Sequence, residues 1–264
     1  MQIWELIVNF FTNVLLVIYK LVGSGPHAFG FAIILFTILI RLATHPLMAS
    51  QIKSSTKMQE LQSNKKWQET QKKYKDDKEK LAQEQMKLYK ELGINPFSSC
   101  LPTFIQIPII FALYQCIMRA LAPSPEQLLI LSRAVYPFFG LPDLVPLNSK
   151  FLWMNLGQPE RIYIFGVGIP LLAIIVAITT YIQSKVTIMP SANPKDQSAM
   201  MNNMMVIYMP LLLGYFSMTY ASGLAVYFIV GNLVSILQYA LLGKVNWANL
   251  IPGRKAAKPV VRSK

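Results

Sequence analysis

The amino-acid sequence predicts an all-α integral membrane protein: a five-transmembrane-helix bundle with an interfacial N-terminal helix and a cytosolic helical hairpin. Hydrophobic residues make up 53% of the chain and charged residues only 14%, whereas soluble domains are about a quarter charged. Apolar segments long enough to cross a bilayer, about 20 residues each, recur along the chain. The positive charge, a net +13, is concentrated between these segments, as is typical of membrane topology signals.

Residues 1–22, MQIWELIVNFFTNVLLVIYKLV, predict an amphipathic helix. The polar residues recur at helical spacing and are Gln2, Glu5, Asn9, Thr12 and Asn13. This pattern favours a helix that lies in the membrane interface. A sixth span and a signal peptide are the alternatives, although no Lys or Arg precedes the apolar stretch and no small-residue cleavage site follows it.

Five segments satisfy the length and apolarity of a spanning helix, and they are residues 28–48, 97–118, 161–183, 201–219 and 222–242. Residues 119–160 and 184–199 connect spans two to three and three to four. Residues 49–95 are different, because they are rich in Lys, Gln and Glu with sparse apolar positions. They predict two surface helices that turn near Lys75–Asp77, with a helix end at Gly93.

The distribution of cations predicts the orientation in the membrane. Of the 25 Lys and Arg residues, 19 lie in segment 49–95, segment 184–199 and the tail 243–264, and five lie on the opposite side, with Arg41 set aside. The positive-inside rule places the cation-rich segments in the cytosol. Five spans then put the N-terminus outside and the C-terminus in the cytosol.

Arg41 is the one Lys or Arg well inside a predicted span. Arginine near the centre of a membrane helix costs about 2.5–3.5 kcal/mol on insertion scales. The spans contain no Asp or Glu apart from Glu160 at a boundary, so no carboxylate partner lies within the bilayer. Two interpretations remain: a water-filled cavity lined by polar side chains, or a side chain that reaches the cytosolic headgroups. The polar candidates for such a lining are Thr37, Thr44, Gln106, Thr179, Thr180, Gln183, Asn232 and Gln238.

Two further segments each allow two interpretations, one that gives the segment a binding function and one that does not. Methionines at positions 200, 201, 204, 205 and 209 form one flexible face, which suits binding of varied apolar segments or ordinary packing against lipid. The tail 243–264 has six cations and no acid, so we expect it to be disordered. It suits contact with anionic lipid or ribosomal RNA, or serves only as a topology signal.

The sequence contains little that would support catalysis or metal binding. His27 and His45 have no cysteine or acidic cluster around them, and Cys100 and Cys116 lie 16 positions apart in one apolar segment. A helix would separate those thiols by roughly 24 Å, beyond the reach of a disulfide. Without a Ser/His/Asp set or paired intramembrane carboxylates, we expect no enzyme activity and no cofactor.

Several motifs resemble the YidC/Oxa/Alb family of membrane-protein insertases. They run in order from about residue 28 to 243 and are ILIRLATHPL, LYKELGINPFSSCLPTFIQIPIIFALY, FLWMNLGQPE, MMVIYMPLLLGYF and ASGLAVYFIVGNLVSILQ. The chain looks like a minimal bacterial form, without the large extracytoplasmic domain of Gram-negative members. The family is similar in having five core helices around a hydrophilic groove that is open to cytosol and lipid.

The resemblance implies a substrate groove and a location. Arg41 matches the family's groove arginine, and Gln106 and Gln183 match groove glutamines, while Tyr227, Phe228, Asn232 and Thr44 complete the expected set. At Phe228 the family commonly has tryptophan, so a hydrogen bond from an indole is lost. The implied location is the bacterial plasma membrane.

The implied function is insertion of nascent membrane proteins into the bilayer. The partners implied are those nascent chains, the ribosome, the Sec translocon and the lipid itself. The alternative is a small-anion transporter or channel that uses Arg41 as its binding charge. No internal repeat and no second buried charge support that alternative.

Overall fold

The computed structural model describes residues 2–23, 25–62, 65–74, 77–91, 101–121, 124–136, 147–187, 197–245 and 247–250. Over these residues the fold is mainly helical. The helices are α1 (Gln2–Val22), α2 (Ala28–Ala43), α3 (His45–Gln62), α4 (Lys65–Lys73), α5 (Lys78–Glu91), α6 (Leu101–Leu121), α7 (Pro125–Ala134), α8 (Leu171–Thr187), α9 (Gln197–Thr219) and α10 (Ser222–Leu241). The strands are β1 (Lys150–Phe151), β2 (Met154–Asn155), β3 (Ile162–Ile164) and β4 (Val167–Ile169).

The helix α1 turns the polar residues in its middle toward protein. Asn9 Oδ1 accepts a hydrogen bond from Arg119 Nη1 at 2.8 Å, and Asn13 Nδ2 donates to the carbonyl of Ala134 at 2.9 Å. The outward residues are apolar and exposed, and they include Ile3, Leu6 and Phe10. Of the polar stripe that predicts an interfacial helix, Asn9 and Asn13 therefore contact α6 and the end of α7, whereas Gln2 and Glu5 are exposed. The interfacial placement of residues 1–22 stays a prediction.

The first predicted span, 28–48, is broken near the end that is predicted to face the cytosol. Helix α2 ends at Ala43, and α3 begins at His45 with its axis turned by 53°. Pro46 explains the break, since proline has no amide hydrogen to continue the helix and its ring clashes with the preceding turn. The same residue is compatible with the first turn of α3. Arg41 consequently lies in the last turn of α2.

Segment 49–95 begins inside α3, which runs to Gln62, so it contains residues of three helices and not the two predicted; the last two are α4 and α5, and residues 74–77 separate them. The two helices contact each other through a small buried cluster of Trp67, Leu88 and Tyr89. Their other faces are charged, as expected for helices in water. The predicted helix end at Gly93 lies outside the described residues.

The third predicted span, 161–183, begins ten residues later than predicted. Residues 162–169 form the antiparallel hairpin β3–β4, with Ile164 paired to Val167, and α8 begins at Leu171. Phe165 and Gly166 in the turn both have positive φ, 50° and 81°, as a type I′ turn requires. Pro170 then precedes the first helical residue. The apolar run of residues 161–170 was therefore wrongly interpreted as helix.

The core lies where α1, α2, α6 and α10 meet, with β1 and β2 closing one end. It includes Leu15, Phe29, Ile33, Leu113 and Tyr227, all of them buried. Helix α8 packs between α9 and α10, and Gly214 lets α9 approach Ala177 of α8 closely. The polar positions that follow lie along α2, α6, α8 and α10.

Among the described residues, α1 and α10 are each long and apolar enough to cross a membrane, and the bent pair of α2 and α3 would make a third span if it acts as one. The segments Gln106–Leu121, Leu171–Thr187 and Met204–Thr219 are shorter apolar helices. These findings agree with an all-α membrane protein. The number of five spans stays a prediction.

Candidate functional site

Arg41 lies against α10 at a position where only a glycine leaves room. A Cβ atom built on Gly231 would be 2.7 Å from Arg41 Nη2 and 3.3 Å from Nε, and real Cβ atoms do not approach other atoms below 3.0 Å. The guanidinium therefore packs on the backbone of α10. Helices α2 and α10 contact each other along their length, which holds the two residues together.

Two polar atoms beside this contact lack partners within the described part of the chain. Arg41 Nε and Gln238 Oε1 are buried without a hydrogen bond. The Gln238 amide is fixed at its other end, because Nε2 donates to the carbonyl of Arg41 at 3.1 Å. A buried donor and acceptor left unpaired cost about 1–3 kcal/mol each. A water molecule or a polar group of a ligand would remove that cost.

Polar side chains also join α8 to α10. Asn232 Nδ2 donates to Thr180 Oγ1 at 2.8 Å and to Thr179 Oγ1 at 3.2 Å. Ser235 lies one turn further along α10 and donates to the carbonyl of Gly231 at 2.8 Å. Asn232 and Ser235 are buried. The α10 positions 231, 235 and 238 thus share one helical face, the face on which Arg41 lies.

The predicted residues Gln106 and Tyr227 are in direct contact. Gln106 Nε2 donates to the Tyr227 hydroxyl oxygen at 2.6 Å, joining α6 to α10. Tyr227 is 1% exposed and lies one turn before Gly231 on α10. Phe228 is 5% exposed and belongs to the hydrophobic core. Its ring fills the interior, so in this conformation it cannot contact an incoming chain.

Gln183 is not joined to this set by the hydrogen bonds of the described residues, and Thr44 is joined to it only by a long hydrogen bond, 3.4 Å, from its hydroxyl to the Arg41 carbonyl. The Thr44 hydroxyl donates to the carbonyl of Ile40 in its own helix at 2.8 Å. Threonine hydroxyls in helices commonly form this hydrogen bond to the preceding turn. Gln183 is half-buried near the end of α8, and its backbone carbonyl accepts from Thr187. Thr44 nonetheless follows Arg41 by three residues, near the same helix end.

Sequence reasoning missed Gly231 and Ser235. Glycine in a span gives no signal by itself, and its role depends on the approach of a second helix. Gln238 was identified as a polar neighbour but not as the residue that binds the Arg41 carbonyl. No group of three or more His, Cys, Asp or Glu side chains that could hold a metal ion occurs in the described ranges. Cys116 is free and buried, and Cys100 lies outside those ranges.

Residues 17–248 match the family model described as 60Kd inner membrane protein. Membrane protein insertase YidC 2 of Bacillus anthracis is 35% identical over 84% of this chain and 74% of the relative. Membrane protein insertase MisCA of Bacillus subtilis is 35% identical over 84% of this chain and 72% of the relative. Membrane protein insertase YidC 1 of Listeria monocytogenes is 36% identical over 83% of this chain, which spans 64% of that relative's length.

Proposed function

Because the chain belongs to the YidC/Oxa/Alb family, described as 60Kd inner membrane protein, we propose that it is a membrane protein insertase. It moves nascent transmembrane segments from the cytosol into the lipid bilayer. The relatives that carry this name align with most of the chain. The work is one of transfer between water and lipid, and it makes and breaks no covalent bond.

The site of transfer is a hydrophilic groove between α2, α6, α8 and α10. The observation that carries this proposal is the Arg41 guanidinium against Gly231, together with two buried atoms that have no partner in the described part of the chain, Arg41 Nε and Gln238 Oε1. Asn232 and Gln106 extend the polar surface to α8 and α6. An unpaired guanidinium inside a membrane protein is stable where water or polar groups surround it. A groove that admits water meets that condition better than contact with acyl chains.

The groove lowers the barrier that a polar segment meets in the bilayer. Each unsatisfied backbone group in hydrocarbon costs several kcal/mol. The polar part of a passenger exchanges water for Arg41 and the neighbouring amide groups, while its apolar part moves into lipid. Because Arg41 has no carboxylate partner within the spans, an acidic residue of the passenger is attracted to it. The passengers favoured are single-span segments with a short acidic or polar flank.

The apolar part of the passenger leaves along α8 and α9. Phe228 is buried, so the surface available is the methionine face of α9. An open cavity of about 370 Å³ lies there, lined by Met204, Met205, Tyr208, Met209, Leu211 and Leu212. Unbranched, polarizable methionine side chains adapt to passengers of different shape.

Partners on the cytosolic side follow from the same proposal. The α4–α5 hairpin receives the nascent chain from the ribosome, and the Sec translocon supplies segments of larger proteins. The tail 243–264 contacts ribosomal RNA or anionic lipid through its six cations. Its last part, residues 251–264, lies outside the described residues. The protein is placed in the bacterial plasma membrane with the C-terminus in the cytosol.

Replacement of Arg41 tests the groove. In proteoliposomes that contain the purified full chain, we expect Arg41→Ala to reduce insertion of a short single-span substrate on the order of tenfold, because hydrogen bonds to a charged group are worth about 1.5–3 kcal/mol. Arg41→Lys keeps the charge but loses the planar donor geometry, so we expect an intermediate rate. Arg133→Ala, at an exposed position of α7, is the matched control. Equal insertion by the wild type and Arg41→Ala would disprove this role.

A further inference from the structure

Six apolar side chains stand exposed at the end of the molecule where α2 begins. They come from the β1–β2 turn and the β3–β4 hairpin, and we call them the aromatic hairpin surface: Leu152, Trp153, Tyr163, Ile164, Phe165 and Val167. Phe165 at the hairpin tip is fully exposed, Tyr163 is 72% exposed and Trp153 is 55% exposed. Large aromatic side chains this far out of the core are unfavourable in water. Their exposure calls for an environment that accepts them.

The surface is held in place by one buried carboxylate. Glu160 Oε1 accepts a hydrogen bond from Trp153 Nε1 at 3.1 Å, and Oε2 accepts from the backbone amide of Leu172 at 3.1 Å. Glu160 thus connects the β1–β2 turn to the start of α8. The β3–β4 hairpin lies between Glu160 and α8 in the chain. On the other side Leu152 N donates to His27 Nδ1 at 3.2 Å, next to the start of α2. The aromatic groups are therefore carried by a fixed frame.

The charges around the surface are positive. Lys150 and Arg161 are both exposed beside it. Between residues 147 and 170 the only acid is Glu160, which is buried with both oxygens engaged. Apolar aromatic groups flanked by cations match the boundary between acyl chains and phosphate headgroups, where Trp and Tyr collect in membrane proteins and long cations reach the phosphates.

The surface is continuous with a face of α8 that suits lipid. Ile174, Ile178 and Tyr181 are 44%, 53% and 43% exposed and follow one another along one side of this helix. The hairpin leads into α8 through Pro170. The apolar stripe on α8 thus follows the aromatic hairpin surface directly along the chain.

We propose that the aromatic hairpin surface is a lipid-binding anchor that inserts into the headgroup region of the predicted extracytoplasmic leaflet. Phe165 and Tyr163 enter the upper acyl region, and Lys150 and Arg161 bind lipid phosphates. The depth is limited, because a two-stranded hairpin has open edges whose amides and carbonyls need water or headgroups. The anchor fixes the height of α8 in the bilayer. This proposal requires that the protein lies in a membrane, but it does not depend on the proposed insertion of nascent chains.

A spin label at the hairpin tip tests the anchor in the full-length protein. The background is Cys100→Ser with Cys116→Ala, the label is attached to Phe165→Cys, and the protein is reconstituted in phosphatidylcholine vesicles with and without phosphatidylglycerol. Lys90→Cys on the exposed side of α5 is the matched control for water. We expect the label at 165 to lose more than half of its collisions with a water-soluble nickel complex relative to position 90, and to gain collisions with oxygen.

The possible results distinguish between lipid headgroups, water and a protein partner at this surface. Shielding in both vesicle types supports binding to the headgroup boundary, and stronger shielding with phosphatidylglycerol supports a contribution from Lys150 and Arg161. Nickel accessibility equal to that of position 90 in both vesicle types would overturn the proposal. Shielding that appears only after a passenger or another protein is added would assign the surface to a protein partner and would also overturn it. A label at Ile178→Cys, expected deep in lipid, confirms that the variants are reconstituted.

Discussion

At the scale of single residues, Gly231 decides where the Arg41 guanidinium can lie. Any side chain at this position would meet Nη2 at 2.7 Å, so the guanidinium has to move or α10 has to shift. Arg41 is a flexible side chain, and we expect it to move first. Its displacement would leave Gln238 Oε1 still unpaired and would take the charge away from the backbone of α10 at Gly231.

We predict that Gly231→Ala lowers insertion of a short single-span substrate several-fold while the protein remains folded. The rate of insertion in proteoliposomes measures the effect. Gly25→Ala is the control, because its Cβ would meet no atom within 4 Å. The double variant of Gly231→Ala with Arg41→Ala is expected to be no slower than Arg41→Ala alone, since residues that act through one contact are not additive. Additive losses would show that Gly231 acts independently of Arg41.

The sequence alone identifies those site residues whose chemistry can be recognised within a single segment. Arg41 was identified because a cation in an apolar run is costly wherever the run folds. Gln106 and Asn232 were identified as polar residues in spans, and both make contacts between helices. The threonine at position 44 could not be judged, because a hydroxyl can be satisfied by its own helix. Gly231 was missed, since its importance lies in the helix that packs on it.

At the scale of secondary-structure elements, the turn chemistry of residues 161–170 explains the misplaced start of α8. The run RIYIFGVGIP is apolar throughout, and an apolar run alone does not distinguish a strand from a helix. The informative signals were local: Gly166 in the turn and Pro170 before the helix. The break after α2 has the same origin in Pro46. Apolar helices were predictable from composition, whereas their ends depended on one or two residues each.

The start of α8 depends on Glu160, which leads to a prediction. Glu160→Gln keeps the shape but replaces one acceptor oxygen with a donor NH₂ group, so either Trp153 Nε1 or the Leu172 amide loses its partner. We expect a loss of about 1–3 kcal/mol in stability, seen as faster hydrogen exchange at the first turn of α8 and around the hairpin. Glu126→Gln, at an exposed position in the first turn of α7, should have little effect. Unchanged exchange at Leu172 would contradict the role of Glu160.

The α4–α5 hairpin depends on a core of few residues, and this makes it sensitive. Trp67 is 4% exposed and packs on Leu88 and Tyr89. We predict that Trp67→Ala opens the hairpin, because loss of a buried tryptophan costs about 3–5 kcal/mol and the cluster holds little else. Hydrogen exchange of α4 and α5 in the full-length protein should become fast, with α10 unaffected. Met86→Ala is the control, since Met86 is 46% exposed; equal exchange in both variants would refute the prediction.

At the scale of the whole molecule, the distribution of charge predicts the orientation of the protein in the membrane, whereas packing determines which helix faces contact each other. The excess of cations in segment 49–95 predicts which side faces the cytosol but contains no information on how helices pack. The helix α1 illustrates the difference. Its periodic polar residues predict a helix in the membrane interface, and the fold uses two of them, Asn9 and Asn13, for contacts with Arg119 and the end of α7. The periodicity was a true helix signal, but the direction of the polar face depends on partners distant in sequence.

The contacts of α1 lead to a last prediction about its depth in the membrane. Phe11 packs on Phe36, and Tyr19 packs on Phe29, while Trp4 donates to Gln115 near the end of α6. These partners lie in the halves of α2 and α6 that are predicted to face outward. A helix that crossed the bilayer beside them would also contact the cytosolic halves. We therefore expect α1 to lie in the outer leaflet, with Ile3, Leu6 and Phe10 against lipid and both ends reachable from outside.

Single cysteines in the background without Cys100 and Cys116 measure this in intact cells. We expect Ile3→Cys and Leu21→Cys, at side chains that are 80% and 81% exposed, to react with a membrane-impermeant maleimide from outside. Lys90→Cys should react only in inverted vesicles, because segment 49–95 is predicted to lie in the cytosol. If Ile3→Cys reacts only in inverted vesicles while Leu21→Cys reacts from outside, α1 spans the bilayer and the N-terminus is cytosolic. The six helices would then still leave the C-terminus in the cytosol, because adding one crossing at the start changes the side of the first residue alone.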